Sequence, residues 1–154
     1  MCIEKTPWEQ VIDFHGHTCP TIALGFRIAQ MAQREMGMRP TSDSLCLVKA
    51  YTQSCAVDAM QILNKATTGR GTLIIEEENT HIYEFHFTGS QEIHKFTIAF
   101  EVVDYLDSLY TEDLSPRARQ NKTLEGVQYI FSLEEDKLCQ YEKIAGCLTI
   151  PTKN

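Results

Sequence analysis

The sequence predicts an α+β fold, a mixed sheet with helices packed on it and a helix-strand-helix-three-strand core. Three observations carry this. Pro20 to Met36 repeats its apolar residues at helical spacing. Leu45 to Tyr51 is apolar on both alternating faces, as a central strand is. Three alternating runs between Thr72 and Phe100 are separated by short polar segments. A length of 154 residues with 43% apolar content suffices for one continuous core, so a single domain over 1–154 is expected. Its core should span about 6–112, with a C-terminal extension over about 113–154.

Taken in order, Thr6-Pro7 opens a short helix from Trp8 to Phe14, with Thr6 as N-cap, Pro7 at the first position and Glu9 three residues after the cap. The second helix, Pro20 to Met36, sets Ile22, Phe26, Ala29 and Met36 against Arg27, Gln30, Gln33 and Arg34, and Gly37 suits its end. Arg39 to Asp43 reads as a loop. After the Leu45 strand, a helix from Cys55 to Ala66 leads to a strand at Thr72 to Glu77, a connection long enough for a right-handed crossover between parallel strands. Strands at His81 to Thr88 and Ile93 to Phe100 then complete an antiparallel meander with the Thr72 run, and Glu101 to Tyr110 reads as a helix. Beyond Ser115-Pro116, Thr123 to Phe131 is helical in pattern and Leu138 to Ile144 alternates like an edge strand.

The charge balance excludes some functions. With 14 Lys+Arg against 21 Asp+Glu the net charge is -7, opposite to the footprint of a protein that grips phosphate backbones, so nucleic acid is not an expected partner. No run approaches the roughly 18 to 20 apolar residues of a membrane span, and the first residues lack the basic-then-apolar pattern of an export signal. A cytoplasmic location is expected. There the six cysteines, Cys2, Cys19, Cys46, Cys55, Cys139 and Cys147, should be thiols, and none is spaced C-x-x-C.

His15, His17 and Cys19 alternate, so an extended segment would project all three side chains to one side. Imidazole and thiolate suit zinc and related borderline metals. Gly16 lets the backbone bend, and Pro20 starts a helix at whose N-terminus Cys19 sits, where unpaired N–H groups favour a thiolate. Cys55 opens the next helix, beyond the carboxyl end of the Leu45 strand, so two helix N-termini can aim thiolates at one point. Asp58, one turn further on an otherwise apolar helix, needs a partner and could orient a ligand histidine without binding the metal. A histidine or cysteine beside an apolar helix is also commonly just packing, and H-x-H-x-C arises by chance. His81, His86 and His94 are expected in surface or cross-strand roles, Cys46 in the core, and Cys2, Cys139 and Cys147 without function.

The run Phe14-His15-Gly16-His17-Thr18-Cys19-Pro20, with Gly25, Arg27 and Ala29, resembles the E-subunit family of formylmethanofuran dehydrogenase. Cys55-Ala56-Val57-Asp58-Ala59-Met60-Gln61 and Thr68-Gly69-Arg70-Gly71 are similar to its second motif. The resemblance covers roughly residues 10 to 105 and implies an α+β fold, a homodimer and a metal site of His15, His17, Cys19 and Cys55. Thr21 stands where the family often has glycine, Lys65 and Thr72-Leu73 depart from the second motif, and the C-terminal four-cysteine ribbon of longer members is missing, which implies a stand-alone relative. The donor types point to one divalent metal, zinc first, with His15 as fourth ligand or close neighbour of His17, Cys19 and Cys55. Three functions follow from such a site: a metal-dependent catalyst or accessory factor in molybdopterin-type or one-carbon redox metabolism with a small molecule at the metal, a metal carrier, and a metal-stapled interaction module.

Overall fold

The computed structural model describes residues 4–37 and 45–149, so the expected loop at Arg39–Asp43 and Cys2 lie outside the described residues. Helix α1 (Pro7–His15) begins on Thr6, whose hydroxyl accepts the Glu9 amide at 3.2 Å, and ends at Gly16, where φ is 96°. Helix α2 (Pro20–Met36) begins on Cys19 and ends at Gly37 in the left-handed region. There follow β1 (Cys46–Ala50), α3 (Ala56–Leu63), β2 (Leu73–Ile75), β3 (Ile82–Phe87), β4 (Glu92–Ile98), α4 (Phe100–Ser108), α5 (Pro116–Ser132), α6 (Glu135–Leu138) and β5 (Cys139–Ala145). Together they form the expected α+β architecture. Among the described residues, no helix is long and apolar enough to cross a membrane.

The five strands lie in the order β2-β1-β3-β4-β5, with β1 and β2 parallel and the other pairs antiparallel. The parallel pair is joined through α3, as the long connection requires. The expected meander is corrected in one place: β3 pairs with β1, not with β2. The polar stretch after β2 wraps over the end of β1 instead of turning back, since the Glu78 and Thr80 amides both donate to the Tyr51 carbonyl and the Tyr51 amide donates to Ile82. Burial explains the choice. Tyr83 through Phe87 are all buried, which demands strands on both sides, whereas the three-residue β2 can remain at the edge. The meander is therefore β3-β4-β5, and β5 is the edge strand.

One face of the sheet carries the core. Cys46, Val48 and Ala50 stand in register with Phe87, Phe85 and Tyr83, and Phe96 and Ile98 extend the face to Tyr141 and Cys139. Helices α2 and α3 pack there at unusually short range. A Cβ at Gly25 would overlap the Cα, carbonyl carbon and carbonyl oxygen of Ala56, so only glycine permits this crossing. The crossing brings Cys55, which precedes Ala56, towards the start of α2.

Helix α5 begins seven residues earlier than the expected Thr123 start, at Pro116. Ser115 accepts the Ala118 amide at 3.1 Å and Pro116 takes the first position, the same Ser/Thr-Pro device that opens α1. The first turns of α5 are mostly exposed and polar, so apolar periodicity does not reveal them. Gly126 lets α5 lie against α2 and α4, since a Cβ there would come within 2.5 Å of Pro20 Cγ and 2.7 Å of Leu109 Cδ2. At the far end Arg27 of α2 donates to the carbonyls of Ile130 and Leu133, at 2.8 and 2.5 Å.

Candidate metal centre

His15 is the last residue of α1, Gly16 turns the chain through its left-handed conformation, and Cys19 is the extended N-cap of α2. The segment is thus a helix end, a turn and a helix start, in place of the extended alternating run that the spacing predicts. The turn still gathers the donors: one donor atom from each of His15, His17 and Cys19 lies within 4.8 Å of the others. The two rings sit 4.5 Å apart, and His15 Nε2 is 3.7 Å from Cys19 Sγ. Cys19 Sγ also accepts the Ile22 amide at 3.3 Å, doing for α2 what a serine or aspartate N-cap does elsewhere. Cys55 arrives from the α3 side, makes no capping bond of its own, and hydrogen-bonds to Cys19 and His15.

Asp58 lies in the first turn of α3, and its Oδ2 is 2.7 Å from His15 Nδ1 while Gln61 Nε2 donates to its Oδ1 at 3.0 Å. A carboxylate held this way takes the Nδ1–H of the imidazole and leaves Nε2, on the cysteine side, as the free lone pair. The packing of α1 on α3 creates this pair, because the two residues are 43 positions apart in sequence.

The two thiols are not equivalent. The hydrogen bond from Cys55 lowers the Cys19 thiol to about 7, against desolvation, and the Ile22 and Thr21 amides add to the effect. The same hydrogen bond, with desolvation and the Cys19 charge, pushes Cys55 upward. The expectation of two thiolates at two helix N-termini is corrected accordingly. Adjacent anions repel, so without a cation between them one sulfur is the thiolate and the other its donor.

Beside the cluster is a cavity of about 360 Å³. His17, Cys19 and Cys55 form one wall, and Leu106, Tyr110, Arg119 and Thr123 form the other. The residues contributed by α5 are ones that sequence reasoning missed. Their signal was the Ser115-Pro116 cap, which sets Arg119, Thr123 and Gly126 on one helical stripe.

The remaining histidines and cysteines lie elsewhere. His86 and His94 are 4% and 5% exposed, so the surface role is corrected for both. His94 stacks on Tyr141 of the neighbouring strand and reaches its hydroxyl at 2.7 Å, while His86 Nε2 bonds the Ser90 carbonyl at 2.7 Å. His81 Nδ1 meets the Tyr83 hydroxyl at 2.9 Å. Cys46 is buried in the core, Cys139 is buried with its thiol pushed up to about 11, and Cys147 is exposed.

Fold and cluster together define an α+β protein in which two histidines and two cysteines meet between two helix N-termini and a helix C-terminus. The chain belongs to the FmdE family, described as molybdenum formylmethanofuran dehydrogenase operon, whose model matches residues 14–140. A probable S-adenosyl-L-methionine-binding protein of Archaeoglobus fulgidus is 32% identical over 68 residues, which cover 40% of this chain and 18% of that protein. The match thus spans less than a fifth of that relative's length. The crystal structure of an FmdE-like protein of tungsten formylmethanofuran dehydrogenase from Syntrophus aciditrophicus has a similar fold, with a TM-score of 0.59 and 16% identity. That alignment covers 89% of this chain and 69% of the other.

Proposed function

We propose that this chain is a cytoplasmic metal-binding protein that holds one divalent metal, zinc, on His15, His17, Cys19 and Cys55, as a catalyst or accessory factor in molybdopterin-type or one-carbon redox metabolism. The observation that carries the reading is the Asp58-His15 pair, 2.7 Å long, which turns Nε2 towards the Cys19 sulfur. A carboxylate behind an imidazole is the usual support of a metal-bound histidine. Two imidazoles and two sulfurs are a donor set that zinc prefers over the hard cations. A zinc ion there would supply Lewis acidity. The metabolic setting rests on the formylmethanofuran dehydrogenases after which the family and the Syntrophus aciditrophicus relative are named. A second reading, a closed structural site, is favoured by the presence of four donors. The cavity on the side of the exposed His17 favours the catalytic reading, since it leaves room for a small molecule beside the donors.

The test is metal content and affinity. Protein purified without a histidine tag, stripped and reloaded with zinc should bind one equivalent per chain; no bound metal overturns the proposal. Asp58→Asn should weaken affinity by about 10- to 100-fold at unchanged stoichiometry, because the amide cannot hold the imidazole as firmly as a carboxylate does. Unchanged affinity would remove Asp58 from the site.

We also propose a two-fold homodimer with its sites near the interface. Its support is the resemblance and the exposed aromatic surface: Phe100 is 77% exposed beside an apolar groove, and Phe14, next to His15, is 51% exposed. Light scattering at micromolar concentration should give about twice the 17.6 kDa chain mass, and a monomer mass would sink the idea.

A further inference from the structure

We infer that the cavity beside the cluster takes a small molecule bearing an oxyanion, a carboxylate or phosphate, and that Arg119 is the residue that selects it. The inference rests on the metal-binding reading above and names the class of ligand for that same site.

The cavity has one wall of candidate metal donors and one wall from α4 and α5. Among the residues lining it, Arg119 carries the only permanent charge. In a chain of net charge -7, its guanidinium is paired with no carboxylate among the described residues. It is nevertheless positioned. Its Cζ lies 4.9 Å from the centre of the Tyr110 ring, and the Tyr110 hydroxyl is 2.6 Å from Thr123 Oγ1. Thr123 is one turn from Arg119 and in turn bonds the Arg119 carbonyl at 3.0 Å. Gly126, on the same stripe, seats the helix on Pro20, next to Cys19. The docking that places the cation therefore uses the residue adjacent to a metal donor.

A planar guanidinium presents paired N–H donors that match the two oxygens of a carboxylate or phosphate, and the Tyr110 and Thr123 hydroxyls offer further hydrogen bonds. Leu106 and Leu109 line the space between with apolar surface. A volume of about 360 Å³ admits a compact molecule and excludes a nucleotide-sized one.

The test uses the full chain loaded with cobalt(II), whose visible absorption reports the metal's surroundings, and three probes: 3-mercaptopropionate, inorganic phosphate and the neutral 2-mercaptoethanol. Calorimetry measures affinity alongside the spectrum. The carboxylate probe should bind about tenfold more tightly than the neutral thiol, and Arg119→Met should abolish that preference while metal affinity stays unchanged. Arg119→Lys, which keeps the charge and loses the paired donors, should retain part of it. Phosphate binding that falls about tenfold in Arg119→Met would make phosphate the ligand class in place of carboxylate. Equal binding of all three probes, or a preference that survives Arg119→Met, overturns the inference and leaves the metal reading standing. A chain that takes up no cobalt overturns both.

Discussion

Cys19→Ser and Cys55→Ser should purify with about a tenth or less of the wild-type metal content, whereas Cys139→Ala and Cys147→Ser should keep theirs. A zinc-sulfur bond of about 2.3 Å to a soft anion has no equivalent in a neutral hydroxyl. The usual objection to such an experiment is that the substitution breaks the fold. Here it is weak for Cys19, because the sulfur caps α2 by accepting the Ile22 amide at 3.3 Å and serine is among the best residues at that position. Helix α2 should therefore be as stable in Cys19→Ser as in the native chain, with the metal gone. Cys55 makes no capping bond, so its replacement removes no helix hydrogen bond either. Thermal melts in the presence of chelator, where metal contributes nothing, should give nearly the same midpoint for Cys19→Ser as for the parent chain. Metal lost from Cys139→Ala or Cys147→Ser but retained in the other pair would place the site in the C-terminal segment.

Gly25→Ala should destabilise the protein by about 2 kcal/mol or more and also weaken metal binding. Two effects of opposite sign compete. Alanine in a helix interior gains roughly 1 kcal/mol over glycine from backbone entropy. Against this, the new methyl would sit inside the backbone of Ala56, and overpacking against atoms that cannot rotate away costs about 3 kcal/mol. The clash wins, and its relief requires α3 to withdraw from α2. Withdrawal moves Cys55 from Cys19 and Asp58 from His15, so stability and metal affinity should fall together. Gly69→Ala is the matched control, since nothing lies within 4 Å of its added methyl. Urea denaturation reads the first effect and zinc titration the second. A Gly25→Ala chain as stable as its parent, binding zinc as tightly, would show that the close crossing is not required.

The expected helix starts at Thr6-Pro7 and Cys19-Pro20 and the ends at Gly16 and Gly37 agree with the structure, because capping is settled within about four residues of chain. The α+β class was legible for a related reason: apolar periodicity records which face of each segment meets a core, whatever the core turns out to be. The donor types of the His15, His17 and Cys19 run could be read as well, and so could the absence of a partner for Asp58 on its own helix.

What a residue meets across the core was not legible. Whether β3 lies beside β1 or β2 depends on the path of the chain over the end of β1 and on the burial of Tyr83 to Phe87, not on the length of the polar stretch before it. The ionisation of Cys19 and Cys55 depends on their being neighbours, which no spacing within either segment encodes. Arg119 reaches the cluster only because Gly126 lets α5 seat on Pro20, a contact across 106 residues of chain that leaves no local pattern. Hydrogen bonds along the backbone and the period of apolar residues are local and so are written in the sequence. The meeting of His15 with Asp58, Cys19 with Cys55, and Arg119 with their cavity is decided by how whole elements pack, and only the tertiary structure holds that information.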